Sequence, residues 1–199
     1  MNRLPELKKG TAILVTGTPG TGKTTVSRLL AKALRAHYVN PGTLLKREGT
    51  DYTYDENRKT RIVSLKRMRI SLTELARRVD RGMVVDSHVP LRITSSRLVR
   101  VIVLRCHPKI LEQRLSRKRW PKRKSSENLQ AEILDICLWD AVQNYGWKRI
   151  VEIDTTAVQP CCVVETAIRA LKQKGIQREP NVDWLMALRR HHVLTKYLT

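Results

Sequence analysis

Short apolar runs alternate with amphipathic helical patterns along most of the chain. The first run, Ala12 to Val15, is bounded by glycines, as is typical of a fully buried strand. From Val26 to Leu34, apolar residues recur at intervals of three and four, which predicts a helix with one buried face. Further strands are predicted at 38–39, 83–85, 99–104 and 150–153, and further helical stripes at 134–145 and 163–171. Strands that alternate with helices predict a parallel sheet covered by helices on both faces.

The pattern changes near residue 175. Gly175 to Pro180 combines a glycine that can end a helix with a proline that cannot continue one, and this predicts a linker. Residues 181–199 carry apolar and basic positions that predict a terminal helix, suited to packing on the core or on a partner. We therefore expect one domain over residues 1–174 and an appendage of linker and C-terminal helix over 175–199.

Basic residues far outnumber acidic ones. Among the 199 residues, 39 are Lys or Arg and 18 are Asp or Glu, which gives a net charge of +21. The charge is clustered, because residues 58–69 and 114–124 hold six and seven basic residues respectively and no acid. Such a balance indicates attraction to a polyanion, either nucleic acid, nucleotide phosphates or an acidic membrane face. A generally basic proteome is the alternative explanation, although it would not by itself cluster the charge.

Composition also limits the class of protein. Hydrophobic residues make up 41% of the chain, enough to bury a core, so disorder is excluded for most of it. No apolar run reaches the roughly 18 residues of a transmembrane helix, and the first nine residues lack a signal-peptide stretch. We expect a soluble cytoplasmic protein with no membrane partner. Its four cysteines lack C-x-x-C spacing and are expected to be reduced thiols.

One motif carries the strongest chemical signal. Gly17 to Thr24 matches G-x-x-x-x-G-K-[ST], and it lies directly after a predicted strand and before a predicted helix. Glycines let the backbone wrap around phosphate oxygens, so that N–H groups and the helix N-terminus converge on them. Lys23 would reach the β and γ phosphates, and the Thr24 hydroxyl would take one Mg²⁺ position. The motif therefore predicts a P-loop that binds a nucleoside triphosphate.

An acid follows the apolar run that ends at Val85. A P-loop protein needs a carboxylate at such a strand end to hold the water shell of the metal, which assigns Asp86 to the Mg²⁺ site. Read alone, an Asp after a strand is usually a turn residue. His88 follows two residues later, and its position alone leaves it either a surface residue or part of the site.

The second basic run begins on a predicted helix. Arg114 and Arg117 lie three residues apart on its polar side, where such a pair can close over a triphosphate and neutralise charge during transfer. Trp120 and Pro121 interrupt the run, as expected where a helix gives way to a loop that closes on nucleotide and excludes water. A solvated face or an RNA-binding patch is the alternative interpretation of the run, and the two roles are compatible.

Four stretches together resemble the small adenylate-kinase-like proteins of archaea and eukaryotes, the adenylate kinase isoenzyme 6 type. They are Gly17 to Thr25, Val85 to His88, Arg117 to Trp120, and Glu127 to Glu132. The resemblance covers about residues 12–171 and implies an α/β P-loop NTPase of the nucleoside monophosphate kinase type, with a five-stranded parallel sheet. It also implies Mg-ATP as phosphoryl donor, AMP as acceptor, ATP hydrolysis, and a role in the assembly of the small ribosomal subunit.

The resemblance further implies roles for individual residues. Asp86 and His88 correspond to the metal-side acid and the catalytic histidine, and Asn40 and Gly42 begin an acceptor region over about 40–63. The phosphate loop supplies the ATP-binding positions Gly17, Gly20, Gly22, Lys23, Thr24 and Thr25, of which Lys23 is also catalytic. A short lid over about 117–128, together with the helix before it, supplies the cations Arg114, Arg117, Lys118 and Arg119. In relatives the lid reads Arg-Gly-Tyr or Arg-Gly-Trp, whereas this chain has Lys118 and Arg119 before Trp120.

Two other functions remain open at this level. One is an assembly factor with little kinase turnover, in which ATP switches binding to pre-ribosomal RNA or to a small-subunit ribosomal protein. A basic protein partner would need an acidic patch, for which the candidates are Glu127, Glu132, Asp135 and Asp140. The other is a kinase for a different nucleotide or a small metabolite on the same core.

Overall fold

A computed structural model of the chain describes residues 6–49, 53–55, 60–62, 64–89, 91–93, 97–172 and 179–198. Its strands are β1 Ala12–Gly17, β2 His37–Val39, β3 Thr53–Asp55, β4 Thr60–Ile62, β5 Met83–Asp86, β6 Leu98–Arg105 and β7 Ile150–Asp154. Five of them form a parallel sheet in the order β2-β5-β1-β6-β7, and β3 and β4 form a separate antiparallel pair. The predicted five-stranded parallel sheet is confirmed.

Nine α-helices lie in the described part of the chain, with one 3-10 turn at Trp147–Arg149. They are α1 Lys23–Ala33, α2 Pro41–Arg47, α3 Leu65–Arg78, α4 Pro108–Ser116, α5 Lys122–Ile133, α6 Ile136–Tyr145, α7 Pro160–Lys172, α8 Trp184–Arg190 and α9 Thr195–Leu198. None of these helices combines the length and apolar composition needed to cross a bilayer.

Successive strand residues point to opposite faces of the sheet, and helices cover both faces. On one face, Leu14 and Val85 pack with residues of α3 and α6. On the other face, Val15 and Val84 pack with residues of α1 and α7. The central strand β1 is buried at all six positions, so the loop that follows it starts from a rigid support.

The terminal segment differs from the single helix predicted over 181–199. It forms two short helices, because the Asp183 carboxylate accepts a hydrogen bond from the Met186 amide and starts α8 there. His192 then adopts a left-handed conformation with φ of 55°, which ends the helix before Val193. We call residues 179–198 the C-terminal arm. Residues 173–178, where most of the linker was predicted, lie outside the described residues, as do 50–52, 56–59 and 63 of the expected acceptor region.

The helix predicted over 134–145 begins two residues later, at Ile136, and is separated there from α5. Helix α5 ends at Ile133, Leu134 is exposed, and Asp135 adopts a left-handed conformation with φ of 57° before α6 begins. The reason is an ion-pair cluster, in which the buried Arg105 guanidinium binds the carboxylates of Glu132, Asp135 and Glu152. Glu132 is only 1% exposed and Asp135 is occupied by Arg105, so neither belongs to an exposed acidic patch.

Candidate functional site

The loop between β1 and α1 is built from glycines in conformations that other residues rarely adopt. Gly17, Gly20 and Gly22 have φ values of 136°, 106° and 96°. A side chain at Gly17 would clash with the main-chain oxygen of Leu104 on the neighbouring strand. Helix α1 begins without a side-chain cap or an acidic residue in its first turn, so the positive end of its dipole is left for an anion. The loop has the conformation that the motif predicts for phosphate binding.

Lys23 is held inside this loop. Its side chain is 9% exposed, and its Nζ donates a hydrogen bond to the Thr18 main-chain oxygen at 3.0 Å. Burial lowers the pKa of Lys23 to about 8, although the nearby Cys137 and Asp86 raise it in part. A cation that has lost much of its hydration gains most from a bound polyanion, which suits Lys23 to contact phosphates.

Asp86 lies at the carboxyl end of β5, directly beside the phosphate loop. The parallel pairing of β1 and β5 sets Val15 opposite Asp86, so the two strands end together. The buried carboxylate accepts hydrogen bonds from the Thr24 hydroxyl at 2.7 Å and from the Tyr38 hydroxyl at 2.9 Å. The strand pairing therefore brings the two predicted metal-site residues, Thr24 and Asp86, into direct contact.

His88 and Asn40 complete this side of the site. Both line the same cleft as Lys23 and Thr24. Burial, and next the charge of Lys23, lower the pKa of His88, so its imidazole is neutral near pH 7. Asn40 caps α2 by accepting a hydrogen bond from the Thr43 amide at 3.0 Å, and its side-chain amide faces the Asp86 main-chain oxygen at 3.4 Å. The expected acceptor residue Asn40 therefore lies beside the expected metal site, and Gly42 follows two residues later as the second residue of α2.

The opposite wall of the cleft comes from the turn between α4 and α5 and from the first part of α5. Lys118, Trp120, Lys124 and Asn128 line it, and both lysine ammonium groups lie over the Trp120 ring, at 4.6 and 4.8 Å from its centroid. The predicted lid over 117–128 is thus a short turn that becomes helical at Lys122. Of the lid and pre-lid cations predicted from sequence, Lys118 is the one found among the described residues of the cleft wall.

Arg114 lies elsewhere. Its guanidinium donates hydrogen bonds to the main-chain oxygens of Thr155 and Thr156 at 2.8 and 3.3 Å. The Thr155 hydroxyl in turn lies 3.0 Å from the Thr21 main-chain oxygen, so Arg114 braces the segment after β7 against the phosphate loop. Arg117 caps the end of α4 and Arg119 has a left-handed φ of 51°; both are exposed. The structure does not bring Arg114 and Arg117 together over the cleft.

Some residues of the site were not selected from sequence. Tyr38 binds Asp86, and the Cys137 sulfur accepts a hydrogen bond from the Thr18 hydroxyl at 3.9 Å beside Lys23. The hydrophobic pattern placed Tyr38 in a strand and Cys137 in a helix, but it did not indicate that either residue belongs to the site. Asn128 was within reach of sequence analysis, because it belongs to one of the four stretches that carry the resemblance.

Comparison with known proteins agrees with this geometry. A family model described as an AAA domain matches residues 13–135. A putative adenylate kinase of Natronomonas pharaonis is 37% identical over 80% of this chain and 88% of its own length. This chain belongs to the adenylate-kinase-like family. A putative adenylate kinase of Thermococcus onnurineus is 34% identical over 86% of this chain and 90% of its own length.

A solved structure supports the adenylate-kinase-like fold. Shikimate kinase from Acinetobacter baumannii, in complex with shikimate, superposes with a TM-score of 0.59 at 18% identity and covers 81% of this chain and 93% of its own. At this level of identity the likeness concerns the fold alone. It identifies the sheet and its helices as the α/β P-loop kinase architecture predicted above.

The residues of this adenylate-kinase-like site fit a magnesium ion bound together with phosphates. Within the described ranges, no three His, Cys, Asp or Glu side chains lie close enough to hold a metal by themselves. Beside the phosphate loop, the Thr24 hydroxyl and the Asp86 carboxylate contact each other and offer two oxygen donors. Mg²⁺ typically binds through one or two protein oxygens and takes its remaining ligands from phosphates and water, which matches this donor set.

Proposed function

We propose that the chain transfers the γ-phosphoryl group of Mg-ATP to AMP, forming two molecules of ADP, and hydrolyses ATP when no acceptor is bound. The observation that carries this proposal is the convergence of Lys23, Thr24 and Asp86 at one end of the sheet. His88 and Asn40 line the same cleft and leave room for an acceptor beside the donor phosphates. The relatives named as putative adenylate kinases support AMP as that acceptor.

The proposed mechanism rests on positioning and neutralisation of charge. The amides of the phosphate loop bind the β and γ phosphates, and the Lys23 ammonium neutralises charge that develops as the β–γ bond breaks. Mg²⁺ supplies further neutralisation when bound, and Thr24 and Asp86 would hold it directly or through water. The neutral imidazole of His88 positions the acceptor phosphate or an attacking water. The loop places no protein nucleophile in line, so no phosphoenzyme is expected.

A neighbouring cleft is suited to bind a second nucleotide. It adjoins the first one at Thr24 and Asn40, and its walls include Arg28 and Arg47. Two arginines that line the same cleft as Asn40 suit the phosphate of a nucleoside monophosphate, because arginine binds phosphate in a bidentate manner. The positive charge of this cleft therefore favours a nucleoside monophosphate as acceptor rather than an uncharged metabolite.

The acceptor and the role of His88 are tested together. With Mg-ATP, ADP formation is expected to be fastest with AMP in a panel of AMP, GMP, CMP, UMP and water. His88→Gln keeps an uncharged hydrogen-bonding side chain, and it should lower turnover by about tenfold while ATP affinity stays near that of the wild type. His191→Gln, at an exposed position of the C-terminal arm, is the control and should behave as the wild type. Equal rates with AMP and water would contradict the kinase assignment.

We further propose that the protein acts in maturation of the small ribosomal subunit by contacting ribosomal RNA. Two observations support this proposal: the net charge is +21, and Lys66, Arg67 and Arg69 are exposed on one helix. The protein therefore has more basic residues than the binding of two nucleotides requires. Glu132 and Asp135, two of the four acidic residues proposed to bind a basic ribosomal protein, form ion pairs with Arg105 instead. RNA is therefore favoured as the partner.

RNA contact predicts a salt dependence. The logarithm of the affinity for a single-stranded ribosomal RNA fragment should fall linearly with the logarithm of salt concentration, by about 0.7 per neutralised phosphate. Replacing Lys66, Arg67 and Arg69 by alanine should reduce the slope by about 2 in magnitude, as measured by fluorescence anisotropy. Lys32→Ala, on another helix, is the control. A flat slope for the wild type would argue against RNA contact.

A further inference from the structure

The C-terminal arm packs mainly on the two helices that carry the lid. Leu188 and Tyr197 of the arm are buried in an apolar cluster with residues of α4 and α5, namely Leu111, Leu115, Leu129 and Ile133. At the surface, Lys196 and Tyr197 both contact the Glu112 carboxylate of α4. The arm therefore stabilises the α4–α5 pair in one arrangement.

The same apolar cluster also touches the nucleotide site. Its Leu111 and Leu115 press on the phosphate loop so closely that a Cβ placed on Gly20 would lie 2.6 Å from the Leu111 Cδ1 atom. Trp120, which lines the cleft, packs against the cluster from the lid turn. One layer of side chains thus separates the arm from the loop and the lid.

A polar contact joins the arm to α5 at a buried position. The Trp184 indole N–H donates to the Glu132 Oε1 atom at 3.1 Å, where the Arg105 Nε and the Cys106 amide also donate, each at 2.9 Å. The amide of Asn181 donates to Glu152 at 2.5 Å, on the other side of the same guanidinium. Glu132 lies one helical turn beyond Asn128 of the cleft wall, so the arm holds α5 close to the site.

We propose that Trp184 is a positioning residue for the nucleotide site: through Glu132 and the apolar cluster, the C-terminal arm sets the placement of the lid relative to the phosphate loop. Docking of the arm and binding of nucleotide are then coupled, and the coupling is reciprocal, so nucleotide binding stabilises the docked arm. This inference rests on the proposed function only in that the cleft must bind ATP.

The affinity for ATP tests this role. Trp184→Ala should weaken binding of a nonhydrolysable ATP analogue by about fivefold in calorimetry and raise the KM for ATP more than it changes kcat. Trp184→Phe keeps a smaller aromatic ring but removes the N–H group, and it should give an intermediate affinity. Leu185→Ala is the matched control, because Leu185 lies on the same helix and is 38% exposed.

Hydrogen exchange on the unmodified chain gives an independent test. Amides of α8 and α9 should exchange more slowly when the analogue is bound, and this measurement holds even if Trp184→Ala does not fold. If the wild type binds the analogue while arm exchange is unchanged and Trp184→Ala binds as the wild type does, the positioning role is overturned and the proposed function stands. If the wild type does not bind the analogue, both are overturned.

Discussion

Replacement of Lys23 by alanine is expected to lower phosphoryl transfer from ATP by about a hundredfold or more. The ammonium is buried in the phosphate loop, where in the proposed mechanism it would neutralise the charge that develops on the transferring phosphoryl group. Water that fills the vacated space cannot replace a fixed cation at the transferring group. The measurement is initial-rate formation of ADP with saturating Mg-ATP and AMP. Lys32→Ala changes an exposed lysine of the same helix and should keep the wild-type rate.

The loss should not come from unfolding. Because burial lowers the pKa of Lys23 from 10.5 to about 8, the folded nucleotide-free protein bears the cost of a buried charge below pH 8. Between pH 8 and 10.5 the unfolded chain binds the extra proton, so this contribution makes the wild type more stable as pH rises. Lys23→Ala should lack that rise and melt no lower than the wild type at pH 7. A lower melting temperature together with lost activity would mean that Lys23 is mainly structural.

Arg105→Met is expected to reduce the free energy of unfolding by about 3–5 kcal/mol. The guanidinium is 1% exposed and binds Glu132, Asp135 and Glu152, so its removal leaves buried carboxylates without their shared cation. Burial already raises the pKa of Asp135, which indicates how costly its charge is there. Urea denaturation of both proteins measures the difference.

An exposed ion pair provides the contrast for this variant. Arg123→Met breaks the pair with Glu127 on the surface of α5 and should cost about 0.5 kcal/mol or less. In Arg105→Met the pKa of Asp135, which burial already raises, should rise further without the guanidinium, so that the variant loses further stability as pH rises through it. Its deficit should therefore be smaller at pH 5 than at pH 8. A deficit below about 1 kcal/mol at both pH values would show that the cluster does not hold the arm and α5 in place.

Residues close together in sequence were the predictable part of the site. The phosphate-loop positions lie within one short motif, and their geometry follows from glycines at positive φ between a strand and a helix. Asp86 was predictable for a related reason, because parallel strands end at the same edge of the sheet. Tyr38 was not predictable, since its hydroxyl meets Asp86 only after β2 pairs with β5.

The lid was harder to predict. Helical periodicity shows which side of α4 faces the core, but it cannot show what the other side meets. Arg114 meets Thr155 and Thr156, more than 40 residues away, and so faces the segment after β7 rather than the cleft. Lys124 and Asn128 reach the cleft because α5 folds back beside the phosphate loop, which depends on packing between helices.

By itself, the sequence determined the alternation of strands and helices and the phosphate loop, because hydrophobic period and backbone conformation are local properties. It also assigned Thr24 and Asp86 to one metal site, although their contact forms only when β1 pairs with β5. Only the tertiary structure decided which cations face the cleft, and that Glu132 belongs to a buried cluster with Arg105 instead of an acidic surface. It also decided where the C-terminal arm docks. These outcomes depend on contacts between residues far apart in the chain, whose energies arise only once the sheet has brought them together.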